Sequence, residues 1–503
     1  MLERYVLQTF SARNARRDTL LRRATKQGKW LLYWLHRWLG IVTCVLCVMW
    51  FLSGLVMLYV PFPSWSDEER IASLPVVATE RVAVTPDAAL SAAEVTTLPS
   101  TFRLEMFAGE PVYRIVTADG HASISAVTGA RVADVNIEKA QRHLASVFPS
   151  ARAELLETLD YDQWTPTRRF DAHRPLYKFA LNDGHGSVAH VSSQTGEIVQ
   201  FSTRSERFWN WLGSVPHWIY FTPVRKEQEL WRQAVMWLSA PAVIGAITGI
   251  WIGILRMRVR KRYSGGRITP YRGWMKWHHV SGLIGGLFVT TWLASGWLSV
   301  TPFQLFMRTQ LSEAQLAAYA GWTPGSSYGA TGQSIARAAQ GEATEIAFSW
   351  VGGRPYMIAR NGKDTLLAAA GSGEPARFDD VDLVQAARGV FPSAAVVDAQ
   401  RLTDEDVYWY SHHATRPLPI VRVRFDDAAS TWLFLDPATG AIAGLRDRSA
   451  RTYRWLFNFV HDYDLPILLR NQPARDIVVW LLSIVGLVVS ASGVVIGYRV
   501  LKR

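Results

Sequence analysis

The chain has 503 residues, 49% of them hydrophobic, with 22 Trp, only 2 Cys and a formal net charge of +12. Two cysteines exclude a disulfide framework. The positive charge is confined to three short stretches: residues 1–37 hold 9 Lys/Arg against 2 Asp/Glu, residues 256–276 hold 8 against none, and residues 499–503 hold 3, leaving 34 against 40 elsewhere. Each basic stretch abuts an apolar run, the positive-inside pattern of a membrane protein, which removes the case for a nucleic-acid partner.

Residues 1–29 read as a basic cytoplasmic arm, and residues 30–60 as a first transmembrane helix ended by Pro61 and Pro63. Its apolar run is too long for a cleaved signal peptide and follows about 30 basic and polar residues. Cys44 and Cys47 lie three apart inside it and read as buried small hydrophobes. Residues 65–203 look like a soluble domain on the other side. Val112–Val116 alternates as a strand, Ala140–Phe148 has helical spacing, and Ser193–Val199 carries a Thr-Gly turn. Residues 204–230 form an aromatic interfacial segment that contains His217. A second span covers 231–255, a basic cytoplasmic loop 256–276 and a third span 277–303. A second outer domain covers 308–447, another interfacial segment 448–475 and a fourth span 476–498. Four spans with both termini cytoplasmic satisfy all three basic stretches.

The chain matches itself. At an offset of 242, His36 falls on His278, Gly40 on Gly282, Trp50 on Trp292 and Ser53-Gly54 on Ser295-Gly296. At 244, His217 falls on His461, Thr195-Gly196 on Thr439-Gly440 and Thr248-Gly249 on Ser492-Gly493. Arg174-Pro175-Leu176 matches Arg416-Pro417-Leu418 at 242. Matches at nearly constant offset indicate a tandem duplication. The expected fold is therefore an α+β membrane protein: a four-helix bundle with two periplasmic α+β domains.

Of twelve histidines, four sit at membrane boundaries in matched positions, His36 and His278 inside, His217 and His461 outside. Ionisable residues at membrane depth default to a functional reading, and neutral imidazole is a good axial ligand for haem iron. Two such pairs predict two non-covalent, bis-histidine b-type haems, against a structural or proton-relay role. His279 is about 100° of helix away from His278, so both cannot face one iron. The repeat favours His278. Gly40 and Gly282 follow their histidines by about one turn and suit either a flat porphyrin or ordinary helix packing. Arg37, Arg272 and Lys276 suit haem propionates at the inner face. His173 and the His412-His413 pair read as exposed loops. Asp160, Asp162, Asp404 and Asp406 fit no calcium loop. No CxxCH is present, which excludes c-type haem, and no nucleotide-binding motif is evident. Electrons must then come from a quinol or a separate cytoplasmic reductase.

The stretch Trp34–Gly40 (WLHRWLG), the WHHVSG stretch, the Arg416–Gly440 segment and VHDYDLP together resemble the PepSY-associated transmembrane family. The resemblance runs over nearly the whole chain. It implies PepSY domains in the periplasm, each a helix packed on an antiparallel sheet, beneath which lies the bacterial inner membrane. Some members are di-haem reductases that release iron from ferric siderophores, so the resemblance implies a ferric-chelate reductase embedded in membrane lipid. The alternatives are a non-enzymatic anchor whose PepSY domains bind a periplasmic partner such as a protease, or a siderophore permease. Asp436 has no acidic counterpart in the first unit, which implies a mainly structural first PepSY domain.

The charge pattern sets the topology. A reporter fused at Ser264 is expected to read cytoplasmic and one at Gly325 periplasmic; the opposite result at either site ends the four-span arrangement.

Overall fold

In the computed structural model, residues 2–132, 135–306, 309–362, 364–412 and 414–503 are described, without the side chains of residues 2–24. Four helices are long and apolar enough to cross a membrane: Thr25–Met57 (within a helix that begins at Leu2), Gln228–Arg256, Gly273–Ser299 and Gln472–Leu501. They form a ring in which the first and third spans each pack against the second and fourth. The outward faces stay apolar, as lipid requires: Ile284 and Leu287 are 71% and 75% exposed. Inward faces carry small residues, such as Ser239, Gly245, Ser281, Gly285, Ser490 and Gly497, which let the backbones approach. Cys44 and Cys47 are free and buried in this interior.

Among the described residues, the stretches between spans one and two and between spans three and four build fourteen strands. These are β1 (Thr101–Phe107), β2 (Glu110–Thr117), β3 (Gly120–Ser125), β4 (Ala153–Leu159), β5 (Leu176–Leu181), β6 (Ser187–Ser192) and β7 (Ile198–Ser202) in the first stretch. The second has β8 (Glu345–Val351), β9 (Arg354–Asn361), β10 (Asp364–Ala369), β11 (Val396–Leu402), β12 (Ile420–Phe425), β13 (Trp432–Leu435) and β14 (Ile442–Arg446). Each stretch closes with a four-stranded antiparallel sheet, in the orders β4-β5-β6-β7 and β11-β12-β13-β14. The helix Ile137–Val147 lays Ala140, His143, Leu144 and Val147 on the first of these. The helix Asp380–Arg388 covers the second with Leu383, Ala386 and Ala387.

The remaining strands do not respect the division into two outer domains. They form one six-stranded sheet, β10-β9-β8-β1-β2-β3, joined where β1 pairs with β8. Both stretches therefore lie on the same side of the bundle. At the seam Glu105 stands directly opposite Glu345, a juxtaposition that repels unless a cation intervenes. Arg70, on the helix Asp67–Ser73, supplies it, reaching Glu105 at 3.0 Å and Glu345 at 2.5 Å. Arg103 and Arg114 bind Glu105 at 3.0 Å each, and Arg360 binds Glu345 at 3.2 Å. Arg103 also holds Glu197.

The strand register corrects one sequence match. β5 begins at Leu176 and β12 at Ile420, an offset of 244. The cis peptides Arg174-Pro175 and Leu418-Pro419 keep the same offset. Pro419 therefore corresponds to Pro175, and the Arg-Pro-Leu match at 242 is two residues out of register. Asp436 has a local structural task. Its carboxylate accepts from Ala438 N at 2.9 Å and Thr439 Oγ1 at 2.6 Å, closing its own turn. Ser192 does the same for the first unit, accepting from Thr195 N at 3.0 Å. The two turns are therefore closed alike with different residues.

Burial alone would raise the carboxyl of Glu105, but Arg103, then Arg114 and Arg70, outweigh it and hold it below the usual range. A depressed carboxyl stabilises the fold above its unfolded value of about 4.3 and loses that contribution as pH falls through its folded value. Arg70→Ala removes the cation that joins both carboxylates and leaves Glu105 to Arg103 and Arg114 and Glu345 to Arg360, with an expected cost of about 1.5–3 kcal/mol. Thermal unfolding of the detergent-solubilised variant at neutral pH checks this; an unchanged midpoint would rule out the seam as a main support.

Candidate functional site

Inside the bundle the matched histidines meet in two pairs. The rings of His36, on the first span, and His278, on the third, are 6.1 Å apart between centroids and tilted by 41°. His217 ends the short helix Ser214–His217, His461 lies in the turn Val460–Asp462, and their rings are 6.4 Å apart at 74°. Ser53, which holds His217, is 17 residues beyond His36 on the same helix, so the pairs lie about 25 Å apart along it.

Each ring is fixed through Nδ1. His36 Nδ1 lies 2.9 Å from Gly245 O on the second span, and His278 Nδ1 3.0 Å from Val489 O on the fourth. His217 Nδ1 meets Ser53 Oγ at 3.0 Å and Trp50 O at 3.2 Å. His461 Nδ1 meets Ser295 Oγ at 2.9 Å. A carbonyl only accepts, so a nitrogen facing one carries the proton. The two serine hydroxyls donate to main-chain carbonyls, Ser53 to Met49 O at 2.6 Å and Ser295 to Trp292 O at 3.0 Å, and so accept from the imidazoles. In the neutral tautomer every Nε2 then has a free lone pair, the form in which histidine binds metal. The indoles close the outer pair, Trp50 Nε1 donating to His217 O at 3.1 Å and Trp292 Nε1 to His461 O at 2.9 Å.

Glycines seat the rings. An added Cβ would lie 2.7 Å from His36 Cε1 at Gly249, 3.3 Å from His217 Cε1 at Gly54, and 3.6 Å from His461 and His278 at Gly296 and Gly493. These four glycines and the two serines belong to the matched sets in the sequence, but as site residues they escaped it, because only the packing shows which ring each one faces. Gly40 and Gly282 have open space where a side chain would be, and Arg37, Arg272 and Lys276 are exposed at that end. Between the pairs lies an apolar layer of Cys47, Phe51, Ala242 and Val289 with Trp50 and Trp292 against it.

His279 turns away. Its Nε2 lies 3.0 Å from Gly253 O on the second span, and its ring meets Tyr271. The structure thus brings His278, not its neighbour, to His36. Elsewhere, His412 and His173 are not exposed loops: His412 lies 2.9 Å from buried Asp464, with its side chain 13% exposed, and His173 is half-buried. His413 lies outside the described residues. Asp162 lies 2.9 Å from His190 and pairs with Lys178 at 3.2 Å, and Asp406 bonds Arg422 at 2.7 Å, so both serve ion pairs.

The donor sets suit a haem iron at each pair. Two metal–nitrogen bonds of about 2 Å each, with the half-widths of two imidazoles, span roughly the observed 6 Å. The fold and site define a membrane protein with four candidate spans and two facing histidine pairs under antiparallel sheets. The family described as PepSY-associated TM region matches residues 33–349, more than half of the chain, and the chain belongs to it. No curated protein matches the chain.

The glycine seats are testable. Gly249→Ala drives a methyl into the His36 ring, whereas Gly296→Ala adds one at ordinary contact. Haemin titration followed by optical absorption is expected to show several-fold weaker uptake for the first and near-normal uptake for the second. Equal affinities would separate the glycines from ring placement.

Proposed function

We propose that this protein is a haem-containing reductase of the bacterial inner membrane, delivering electrons to a ferric siderophore or similar Fe(III) chelate in the periplasm. In this reading the chain arose by tandem duplication, its termini are cytoplasmic and its sheets periplasmic. The observation that carries it is the pair of facing imidazole sets, each with Nδ1 committed to the bundle and Nε2 left for a metal. Haem bound there supplies reversible one-electron chemistry at two depths. His36 and His278 would hold one group, His217 and His461 the other. Each chelated Fe(III) takes up one electron, and the weaker Fe(II) complex releases its iron for uptake. The electron donor is a quinol or a separate cytoplasmic reductase, because the chain has no nucleotide motif. Membership of the PepSY-associated family is consistent with the reading, since His36, His217 and His278 lie within the matched residues 33–349.

His217 and His461 lie where the bundle meets the sheets, so they set the terminal donor near the water boundary. A chelate too bulky to enter the bundle then need only approach that surface.

The purified protein is expected to carry about two haems, and His36→Ala, His278→Ala, His217→Ala or His461→Ala about one each, while His279→Ala keeps both. Dithionite-reduced protein should be reoxidised anaerobically by a ferric siderophore, with Fe(II) appearing in a chelator trap. Protein that stays reduced with every ferric chelate would sink the reductase reading. Protein that binds no haem would favour a membrane anchor.

A further inference from the structure

A second cluster of metal-binding side chains lies outside the bundle, in the first extramembrane stretch. His121 stands on β3, the edge strand of the six-stranded sheet. His173 ends the turn Arg168–His173, and Glu197 follows Gly196 between β6 and β7. Three separate elements thus converge. One ligand atom from each residue lies within 4.8 Å of the other two. The two imidazoles meet edge to face with centroids 4.9 Å apart.

The position of Glu197 is built. Gly196 takes φ +76°, and a Cβ there would lie 2.2 Å from the Phe107 ring, so only glycine lets the turn press onto the sheet. Arg114 donates to Thr195 O, and Arg103 binds Glu197 Oε1. A carboxylate has lone pairs for a further partner. The Thr195 hydroxyl lies 3.5 Å from His173 Nδ1, which leaves the other ring nitrogen of His173. His121 Nδ1 is buried with no hydrogen-bond partner among the described residues, a deficit that calls for a physical account. Beside the cluster opens a cavity of about 560 Å³, lined by His121, Ser123, Asp171, Arg174 and Thr195 among others.

These three residues are not shared by the two halves. At the offset of 244 that relates the Thr195-Gly196 and Thr439-Gly440 turns, the second half has Thr365, Pro417 and Ala441. The same corner is built there without one ligand.

We infer that His121, His173 and Glu197 form a binding site for a divalent first-row transition ion, distinct from the histidine pairs of the bundle. Two imidazoles and a carboxylate, with a fourth position facing a cavity, make up an open zinc-type donor set. Bonds of about 2.0–2.2 Å require the donors to draw together by roughly 1 Å, a movement available to a histidine on an edge strand. The two arginines beside Glu197 narrow the class. They repel any bare cation, so an ion gains only by strong bonds to nitrogen. That selects Zn²⁺, Cu²⁺, Ni²⁺ or Co²⁺ and excludes Ca²⁺ and Mg²⁺, which seek oxygen.

The test uses the full chain in detergent, stripped with a chelator and dialysed against Zn²⁺ alone, with zinc per protein measured by elemental analysis. The result does not depend on haem or on reductase activity. His121→Ala and His173→Ala are each expected to lose about one zinc relative to the parent, with circular dichroism unchanged, and Ca²⁺ is expected not to compete. Glu197→Gln should weaken uptake about tenfold. If that variant fails to fold because Arg103 loses its partner, the edge-strand variant His121→Ala still decides. Zinc uptake by His121→Ala and His173→Ala equal to that of the parent protein overturns the site.

Discussion

A histidine ring within a membrane bundle must have its Nδ1–H satisfied by the bundle itself, because lipid offers no partner. This requirement organises the interior. Helix carbonyls are normally spent on the helix, yet Gly245 and Val489 offer a second lone pair to His36 and His278. They can do so because small residues, Gly249 and Gly493, let each ring lie against the neighbouring backbone. At the other end serines hold the rings, and two indoles pin the main chain that carries them. Orientation of the rings is therefore fixed by four helices at once, and each Nε2 is left over as the group with unused bonding capacity.

The extramembrane sheets impose a second constraint on the same bundle. Because β1 pairs with β8, the connections of the two helix pairs are a single body. Sliding one pair past the other would break main-chain bonds and expose the Glu105–Arg70–Glu345 seam. Removing a partner from buried charges costs far more than a surface pair ever returns. The distance between facing imidazoles, which belong to different halves, is thereby held from outside the membrane as well as from within.

Much of this was legible in the sequence, for physical reasons. Long apolar runs with basic ends leave little choice of architecture, and a constant offset places His36 and His278 at like depths. It also favours His278 over its neighbour, and the structure turns His279 toward Gly253 instead. The seam was not legible. Glu105 and Glu345 are 240 residues apart, and charged residues on alternating strands look like a solvent face. Nor was the register of β12, where the repeated Arg-Pro-Leu outweighed the strand that follows it. Asp436 stood out in the sequence for lacking an acidic counterpart, and only the structure shows a serine closing the matching turn. His173 looked like loop because its neighbours are polar; the burial comes from a sheet distant in sequence.

The two halves agree most closely at the imidazole rings and diverge away from them. Past His461 the second half continues outward as a stack, with Phe457 against the imidazole at 4.9 Å and 13° and Tyr453 against Phe457 at 5.1 Å and 20°. A π-helical turn, Arg454–Phe459, brings these rings into line. At the matched offset of 244 the first half has Gly213 and Trp209. There the helix stops at Gly213, where an added Cβ would lie 3.0 Å from Val56, so no phenylalanine fits and no stack can form. The first half instead gathers His121, His173 and Glu197 at its sheet corner, where the second has none. Nδ1 geometry tolerates no variation without losing the free Nε2, whereas the surfaces beyond it are under no such restriction. Whatever each half does differently must therefore be read from these unlike outer surfaces rather than from the like interior.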